Sequence, residues 1–236
     1  MKKKSIGILG GMGPLATADL LAKITKFTRA SADADHIRVY IDSNPAIPDR
    51  TAALLHGGND PVPEMTAALR NLEKCGADCI IMPCNTAHAF LPRLEELTNI
   101  PFLNMIEITA KRCSMLYPGK TACLLSTTGT VSARLYDEVM EKYQVRCMIP
   151  NEQEMETLMY LIYDVVKASK PLEPEAERWN ALLSGLQDEG ADYFILACTE
   201  LPILADTLGI PCPFIDPTIE LAKAAVEYCG YPVNNY

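Results

Sequence analysis

Two stretches decide the architecture: GADCIIMPCNT at residues 76–86 and GADYFILACTE at residues 190–200. Each places Gly-Ala-Asp ahead of a short apolar run and follows that run with a cysteine, Cys84 in one and Cys198 in the other, 114 positions apart. The likeness continues outward. Downstream, NIPFLNMIEITAK from Asn99 answers GIPCPFIDPTIELAK from Gly209; upstream, KSIGILGGMGPLATADLL at 4–21 lies 116 positions before KTACLLSTTGTVSARLYD at 120–137. HIRVYID and QVRCMIP occupy equivalent places between them. A chance tripeptide match would not extend this way. The chain reads as two halves of one design, with a period far beyond that of solenoid repeats.

Within each half, apolar runs of strand length such as SIGILG, RVYID, CIIMP and PFLNM are separated by segments such as VPEMTAALRNLEKCG, whose apolar residues recur at helical spacing. Alternating strands and helices give parallel sheets covered by helices. The expected fold is therefore α/β: two similar lobes related by pseudo-two-fold symmetry, each a roughly four-stranded parallel sheet flanked by helices. The active site is expected in the cleft between them. No Ser/Gly linker or charge block separates the halves, so the division is placed at residues 1–106 plus 216–236 for the first lobe and 107–215 for the second.

Composition narrows the classes of partner. The chain has 236 residues, 49% of them hydrophobic, and a net charge of −9. That charge opposes long-range attraction to nucleic acid and anionic lipid, while leaving room for a small anion held by a few basic groups. The basic start of MKKKSIGILGGMG resembles a signal peptide, but four glycines, Pro14 and then Asp19 interrupt it, and it reads as a buried first strand. No apolar stretch approaches the roughly 20 residues that cross a bilayer. Nine cysteines, an odd number without disulfide-framework spacing, suit a reducing compartment, and the expectation is a cytoplasmic protein.

In parallel sheets ligands bind beyond the carboxyl ends of the strands, where Cys84 and Cys198 both fall. With the lobe mouths facing, the two thiols meet across one cleft. Each precedes a helix start with capping residue types, Asn85 and Thr86 or Thr199 and Glu200, and a helix N-terminus can lower a thiol pKa below about 8.5. Two proton-exchanging groups on opposite sides of a small molecule suit inversion of a stereocentre: one thiolate removes a hydrogen and the opposite thiol returns one. The carbanion formed beside a carboxylate would need preorganised donors such as backbone N–H groups and hydroxyls.

The residues that carry this pattern, GILGGMGP near the start, NPAIPDRT at 44–51, PCNTAH and GADYFILACTEL, resemble the aspartate/glutamate racemase family essentially from end to end. The resemblance implies catalysis by two cysteines without pyridoxal phosphate or other cofactor, on an acidic amino acid, and it implies homodimers. Position by position, Cys84 and Cys198 correspond to the acid/base thiols, Asp49 and Glu200 to acidic neighbours, and Arg50 and Lys167 to carboxylate-binding positions. Asn85, Thr86, Thr127 and Thr199 correspond to the substrate-binding loops, with Gly11 and Met12 as the first-lobe counterpart of Thr127. Hydantoin racemase and maleate cis-trans isomerase are the nearer alternatives within the wider superfamily. A non-enzymatic amino-acid-binding module is the alternative outside it.

The same residues admit other readings. Cys75, Cys79, Cys113, Cys123, Cys147, Cys212 and Cys229 read as buried small hydrophobes. The spacing of Cys75, Cys79, Cys84 and His88 suggests a metal site, but a strand opened by Cys79 and ended by Cys84 would hold those two roughly 16 Å apart at about 3.3 Å per residue, and no metal is expected. His88 reads as a polar residue on the first turn after the thiol. GMGPLA with Asp42 fits a dinucleotide-binding pattern and makes an NAD-dependent oxidoreductase the rival class; Pro14 at the helix start and a degenerate counterpart in the second half weigh against it.

Overall fold

The computed structural model describes residues 3–234, so the chain ends included in the first lobe, residues 1–2 and 235–236, lie outside the described residues. The first half runs β1 (Ile6–Gly10), α1 (Pro14–Phe27), β2 (Val39–Ser43), α2 (Arg50–Leu55), α3 (Val62–Cys75), β3 (Cys79–Ile81), a 3-10 turn over Thr86–Phe90, and α4 (Leu91–Glu95). α5 (Met105–Leu116) leads into the second half: β4 (Thr121–Ser126), α6 (Thr128–Ser132), α7 (Asp137–Lys142), β5 (Arg146–Met148), α8 (Glu152–Tyr160), a π-helical segment over Leu161–Val166, α9 (Ala176–Asp188), β6 (Tyr193–Ala197), α10 (Leu201–Leu208) and β7 (Phe214–Ile215). α11 (Pro217–Tyr228) closes the chain.

The expected repeat is visible in the strand orders, β2-β1-β3 in one sheet and β5-β4-β6-β7 in the other, all parallel. β1 and β6 are buried along their whole lengths, which is why they read as continuous apolar runs: helices cover both faces. The first sheet departs from the expected four strands. Its fourth is reduced to an isolated bridge between Ile80 and Phe102, made by Ile80 N–H to Pro101 at 2.9 Å and Leu103 N–H to Ile80 at 3.0 Å. The second lobe makes the equivalent bond, Phe194 N–H to Pro213 at 3.1 Å, and extends it into the two residues of β7.

α11 returns to the first sheet. Its Leu221, Ala222, Ala225 and Val226 are fully buried among Ile6, Ile8, Leu20 and Ile24. Asp216 caps its start by accepting Thr218 N–H at 2.8 Å, and Lys23 of α1 clamps that cap, 2.5 Å from both Asp19 and Asp216. The second lobe packs α8, α9 and the π-helical segment over β4 and β6, around the fully buried Trp179.

The cysteines correct one expectation. Cys79, Cys113, Cys123 and Cys229 are buried, but Cys75 is exposed and Cys147 and Cys212 are only half-buried. Cys75 is the last residue of the amphipathic α3, whose buried face is carried by Val62, Met65, Ala68, Leu69 and Leu72, and it falls off that face.

Candidate active site

The two cysteines of the repeat lie just past the carboxyl ends of equivalent central strands. Cys198 follows β6 directly; Cys84 lies three residues beyond β3, which stops at Ile81 rather than running to the cysteine. Cys84 and Cys198 are both buried and line one enclosed cavity of about 10 Å³ between the lobes. That is room for a single water-sized sphere.

The cavity gathers most of the residues picked out from sequence: Met12, Asp49, Arg50, Asn85 and Thr86 from the first lobe, and Thr127, Lys167, Thr199 and Glu200 from the second. Gly11 is not among them. It lines an adjoining outer space, and its φ of +92° with Asn44 backbone 2.3 Å from the place a Cβ would take makes it a close-approach residue for the loop. Thr51, Tyr163 and Ala197 complete the inner wall and were missed from sequence.

The two thiols sit in different electrostatic settings. Cys198 donates to the Glu200 carboxylate at 3.0 Å, and burial, reinforced by the Glu200 charge, pushes its pKa well above the ordinary thiol value. A lowered pKa was expected at the start of α10, and the reverse is found: desolvation and the adjacent carboxylate outweigh Lys167 and the Glu200 backbone N–H. Arg50 stands on the Cys84 side. Burial opposes its charge, but the Cys84 sulfur and the Asp49 carboxylate outweigh burial and raise its pKa. Its guanidinium donates to the backbone carbonyls of Ile47, Pro48 and Met12 at 3.0–3.3 Å, while Nε is buried without a partner.

Asp49 has two jobs. Oδ1 caps α2 by accepting Ala52 N–H at 2.8 Å, and Oδ2 accepts the Tyr163 hydroxyl across the cleft at 3.0 Å. The Lys167 ammonium lies 4.7 Å from the centre of the Tyr163 ring and 3.9 Å from Glu200 Oε1. Burial works against that ammonium's charge, but the Glu200 and Cys198 partners outweigh it and raise its pKa. Tyr163 and Lys167 come from the π-helical turn and its end, a widened turn of the kind often found at functional sites.

Hydroxyls join the lobes on the opposite wall. Thr86 Oγ1 lies 2.9 Å from both Thr127 Oγ1 and Thr130 Oγ1, so Thr130 belongs to the same cluster although the sequence did not single it out. Asn85 accepts the buried Tyr136 hydroxyl at 2.6 Å, and its Nδ2 donor has no partner. Leaving a buried donor unpaired costs about 1–3 kcal/mol, and the residues that carry these two donors, Arg50 and Asn85, both line the cavity.

His88 does not reach the cavity. Its Nδ1 lies 2.9 Å from the Cys84 carbonyl and its Nε2 accepts Met105 N–H at 3.3 Å, and complete burial pushes its pKa down to about 4. The imidazole is therefore neutral and ties the Cys84 backbone to the start of α5. Among the described residues no cluster of His, Cys, Asp or Glu side chains is placed to hold a metal ion. At the first glycine of GMGPLA the loop is closed by the chain itself, since a Cβ at Gly11 would fall 2.3 Å from the Asn44 backbone, and Asp42 accepts from Asn71 of α3 at 2.8 Å.

Comparison with known proteins gives a consistent answer. The Asp/Glu/hydantoin racemase family model matches residues 9–225. A broad-specificity amino-acid racemase of Bacillus subtilis (strain 168) is 30% identical over 237 residues, covering 96% of this chain and 99% of that one. The structure of an aspartate racemase from Picrophilus torridus superposes with a TM-score of 0.84 at 32% identity, covering 98% of this chain and 96% of that one. A glutamate racemase from Francisella tularensis solved with D-glutamate shares the fold, with a TM-score of 0.66 at 17% identity over 97% of this chain and 81% of that one. No helix among the described residues is long and apolar enough to cross a membrane. Two parallel α/β lobes, a shared cavity at their strand ends and these end-to-end likenesses lead to one assignment: the chain belongs to the Asp/Glu/hydantoin racemase family and is an isomerase of the amino-acid racemase type.

Proposed function

We propose that the protein racemises an acidic amino acid, aspartate or glutamate, by a two-base mechanism in which Cys84 and Cys198 act from opposite faces of the α-carbon. The observation that carries this reading is that the two thiols, from equivalent positions of the repeat, line one cavity. A cysteine in thiolate form takes the α-hydrogen from one face; the opposite thiol gives its proton to the other face, and the configuration inverts. Two proton-transfer groups positioned in this way are each worth about 10²–10⁴-fold in rate. Glu200 is the proton partner of Cys198, since it already accepts that thiol's hydrogen.

The carbanion formed beside the substrate carboxylate gains from donors fixed before the reaction begins. Asn85 Nδ2 and Arg50 Nε are the unpaired donors suited to that task, with the Thr86, Thr127 and Thr199 hydroxyls beside them. Arg50 offers a planar fork to a carboxylate and Lys167 a second cation. Met12 supplies a buried apolar wall. Each step is assigned to this chain's own residues, and the reading includes no cofactor. It also places the protein in the cytoplasm as a homodimer, with the lobes divided at residues 106/107 and 215/216; light scattering of the purified protein reads the oligomeric state.

The deciding experiment is a chiral assay with L- and D-aspartate and L- and D-glutamate, run in deuterated water. The expected result is interconversion in which deuterium enters the newly formed enantiomer far ahead of the remaining substrate. Cys84→Ala and Cys198→Ala should each lower interconversion by more than about 10³-fold while the fold persists. Equal early labelling of both enantiomers would point to a single base, and activity only on hydantoins or maleate would move the chain to the neighbouring activities of its superfamily.

A further inference from the structure

The inner cavity, about 10 Å³ as the lobes stand, has room for a water-sized group only, so the lobes must part to admit an amino acid and its side chain has to find space elsewhere. Beyond it lies a second space of about 520 Å³, within the usual range for small-molecule sites. Asp49, Arg50, Lys167 and Glu200 line both spaces and form the partition between them. The outer space lies between the lobes. Its walls are mainly apolar: Leu15, Pro45 and Ile47 from the first lobe, Val166 and Ile203 from the second. Leu15 is 57% exposed, so the space reaches solvent at the start of α1, whereas Ile47 and Val166 are buried.

Inversion constrains where a side chain can go. When a hydrogen leaves one face and another arrives at the opposite face, the α-carbon passes through a plane while its other three substituents stay nearly in place, so one subsite serves both enantiomers. The ammonium and carboxylate engage the polar inner wall. The third substituent then points through the four charged residues into the outer space. That partition carries two cations and two anions in close association, with Lys167 3.9 Å from Glu200, so its charges balance and an acidic side chain is not a condition of entry. Gly13 leaves room beside Glu200: the place its Cβ would take lies 3.4 Å from Glu200 Oε1 and, its chain neighbours aside, meets no other heavy atom within 4 Å.

Resting on the racemase reading above, we infer that this outer space is the side-chain subsite, and that it admits unbranched aliphatic side chains such as those of methionine and norleucine in addition to the acidic pair. An aspartate side chain, with one methylene before its carboxylate, would end within the partition. A methionine side chain would pass it and bury its thioether against Ile47, Val166 and Ile203.

The test compares racemisation of aspartate and methionine by the wild-type protein, by Ile203→Phe, which narrows the space from the second lobe, and by Leu15→Trp, which narrows it from an exposed position outside the core. Interconversion of both substrates by the wild type is expected. At least one folded variant is expected to lose tenfold or more in kcat/KM for methionine and norleucine while aspartate stays within twofold. A wild type that interconverts aspartate but not methionine overturns this inference and leaves the racemase reading standing. Folded variants that treat the two substrates alike also overturn it. A wild type inactive on every amino acid removes the racemase reading and this inference with it.

Discussion

The Cys198 thiol points its hydrogen at the Glu200 carboxylate, Sγ to Oε2 at 3.0 Å, inside a wall where both residues are buried. The contact has two effects of opposite sign. The carboxylate's charge makes the Cys198 thiolate harder to form, yet the same carboxylate is the nearest group able to take the thiol's proton.

Glu200→Gln separates those effects. Desolvation, the larger cause of the raised Cys198 pKa, remains, but the anion is gone, so site-resolved alkylation of Cys198 by iodoacetamide should begin at lower pH than in the wild type. Racemisation should nevertheless fall about 10–100-fold, because glutamine cannot accept a proton. The kcat/KM loss must be the same for both enantiomers, since their equilibrium constant is one. A variant that alkylates more readily and also racemises faster would reduce Glu200 to a source of charge.

The strand ends, the paired cysteines and the Asp49-Arg50 pair were legible because each stands in a short motif whose backbone geometry is local: strand, turn, helix start. What escaped depends on contacts between distant segments. Tyr163 carries no motif, and it reaches the cleft because a π-helical turn widens the helix that continues α8. The Cys198 pKa was expected to follow its helix terminus and instead follows burial and Glu200, a balance that no spacing encodes. The fourth strand of the first lobe was expected from PFLNM and shrank to a bridge. His88 stood out as a polar residue beside the thiol, but its partners, the Cys84 carbonyl and Met105 N–H, are backbone groups, which sequence cannot distinguish from a cavity-facing arrangement.

Tyr163→Phe tests the latch across the cleft. The Tyr163 hydroxyl donates to Asp49 at 3.0 Å and lies 3.3 Å from Thr51 Oγ1, and burial lifts its pKa to about 12, so it remains a donor through the neutral range. Phenylalanine keeps the ring beneath Lys167 and removes only these bonds. The expected result is a KM rise of about 5–10-fold, near 1 kcal/mol for a net hydrogen bond, with kcat changed less because Asp49 keeps its cap on α2. A fall in kcat with KM unchanged would instead place the hydroxyl in the chemistry.

At Gly129 the second lobe lies tight against the first. A Cβ there would fall 2.7 Å from Thr51 Oγ1 and 3.0 Å from both Thr51 Cα and Thr86 Cγ2, so alanine acts as a wedge between α6 and the first lobe. Since a misplacement of about 1 Å can cost 10²-fold in rate, Gly129→Ala should lower kcat/KM by about that factor. Gly185→Ala in α9 is the matched control, where a Cβ meets only Glu154 Oε1 at 3.9 Å; it should leave activity unchanged and raise stability by about 0.5–1 kcal/mol. Equal activity of the two variants would mean that the lobe spacing tolerates the wedge.

His88 makes stability depend on pH in a window that its environment defines. Its pKa is about 4 in the folded chain against 6.5 for the free side chain, because the ring is fully buried and its Nε2 already accepts Met105 N–H. Below pH 6.5 the unfolded chain therefore takes up a proton that the folded chain refuses, and stability is lost as pH falls from 6.5 towards 4; above 6.5 this contribution is flat. Between pH 7 and pH 5 the loss attributable to this one group is about 2 kcal/mol. His88→Asn removes the titration. The variant should be less stable at pH 7, having lost the tie between Cys84 and α5, but its urea midpoint should fall less than the wild type's between pH 7 and pH 5. Parallel declines of the two proteins across that interval would show that His88 titrates at its ordinary value in the folded chain, and that the buried tie to Cys84 is absent in solution.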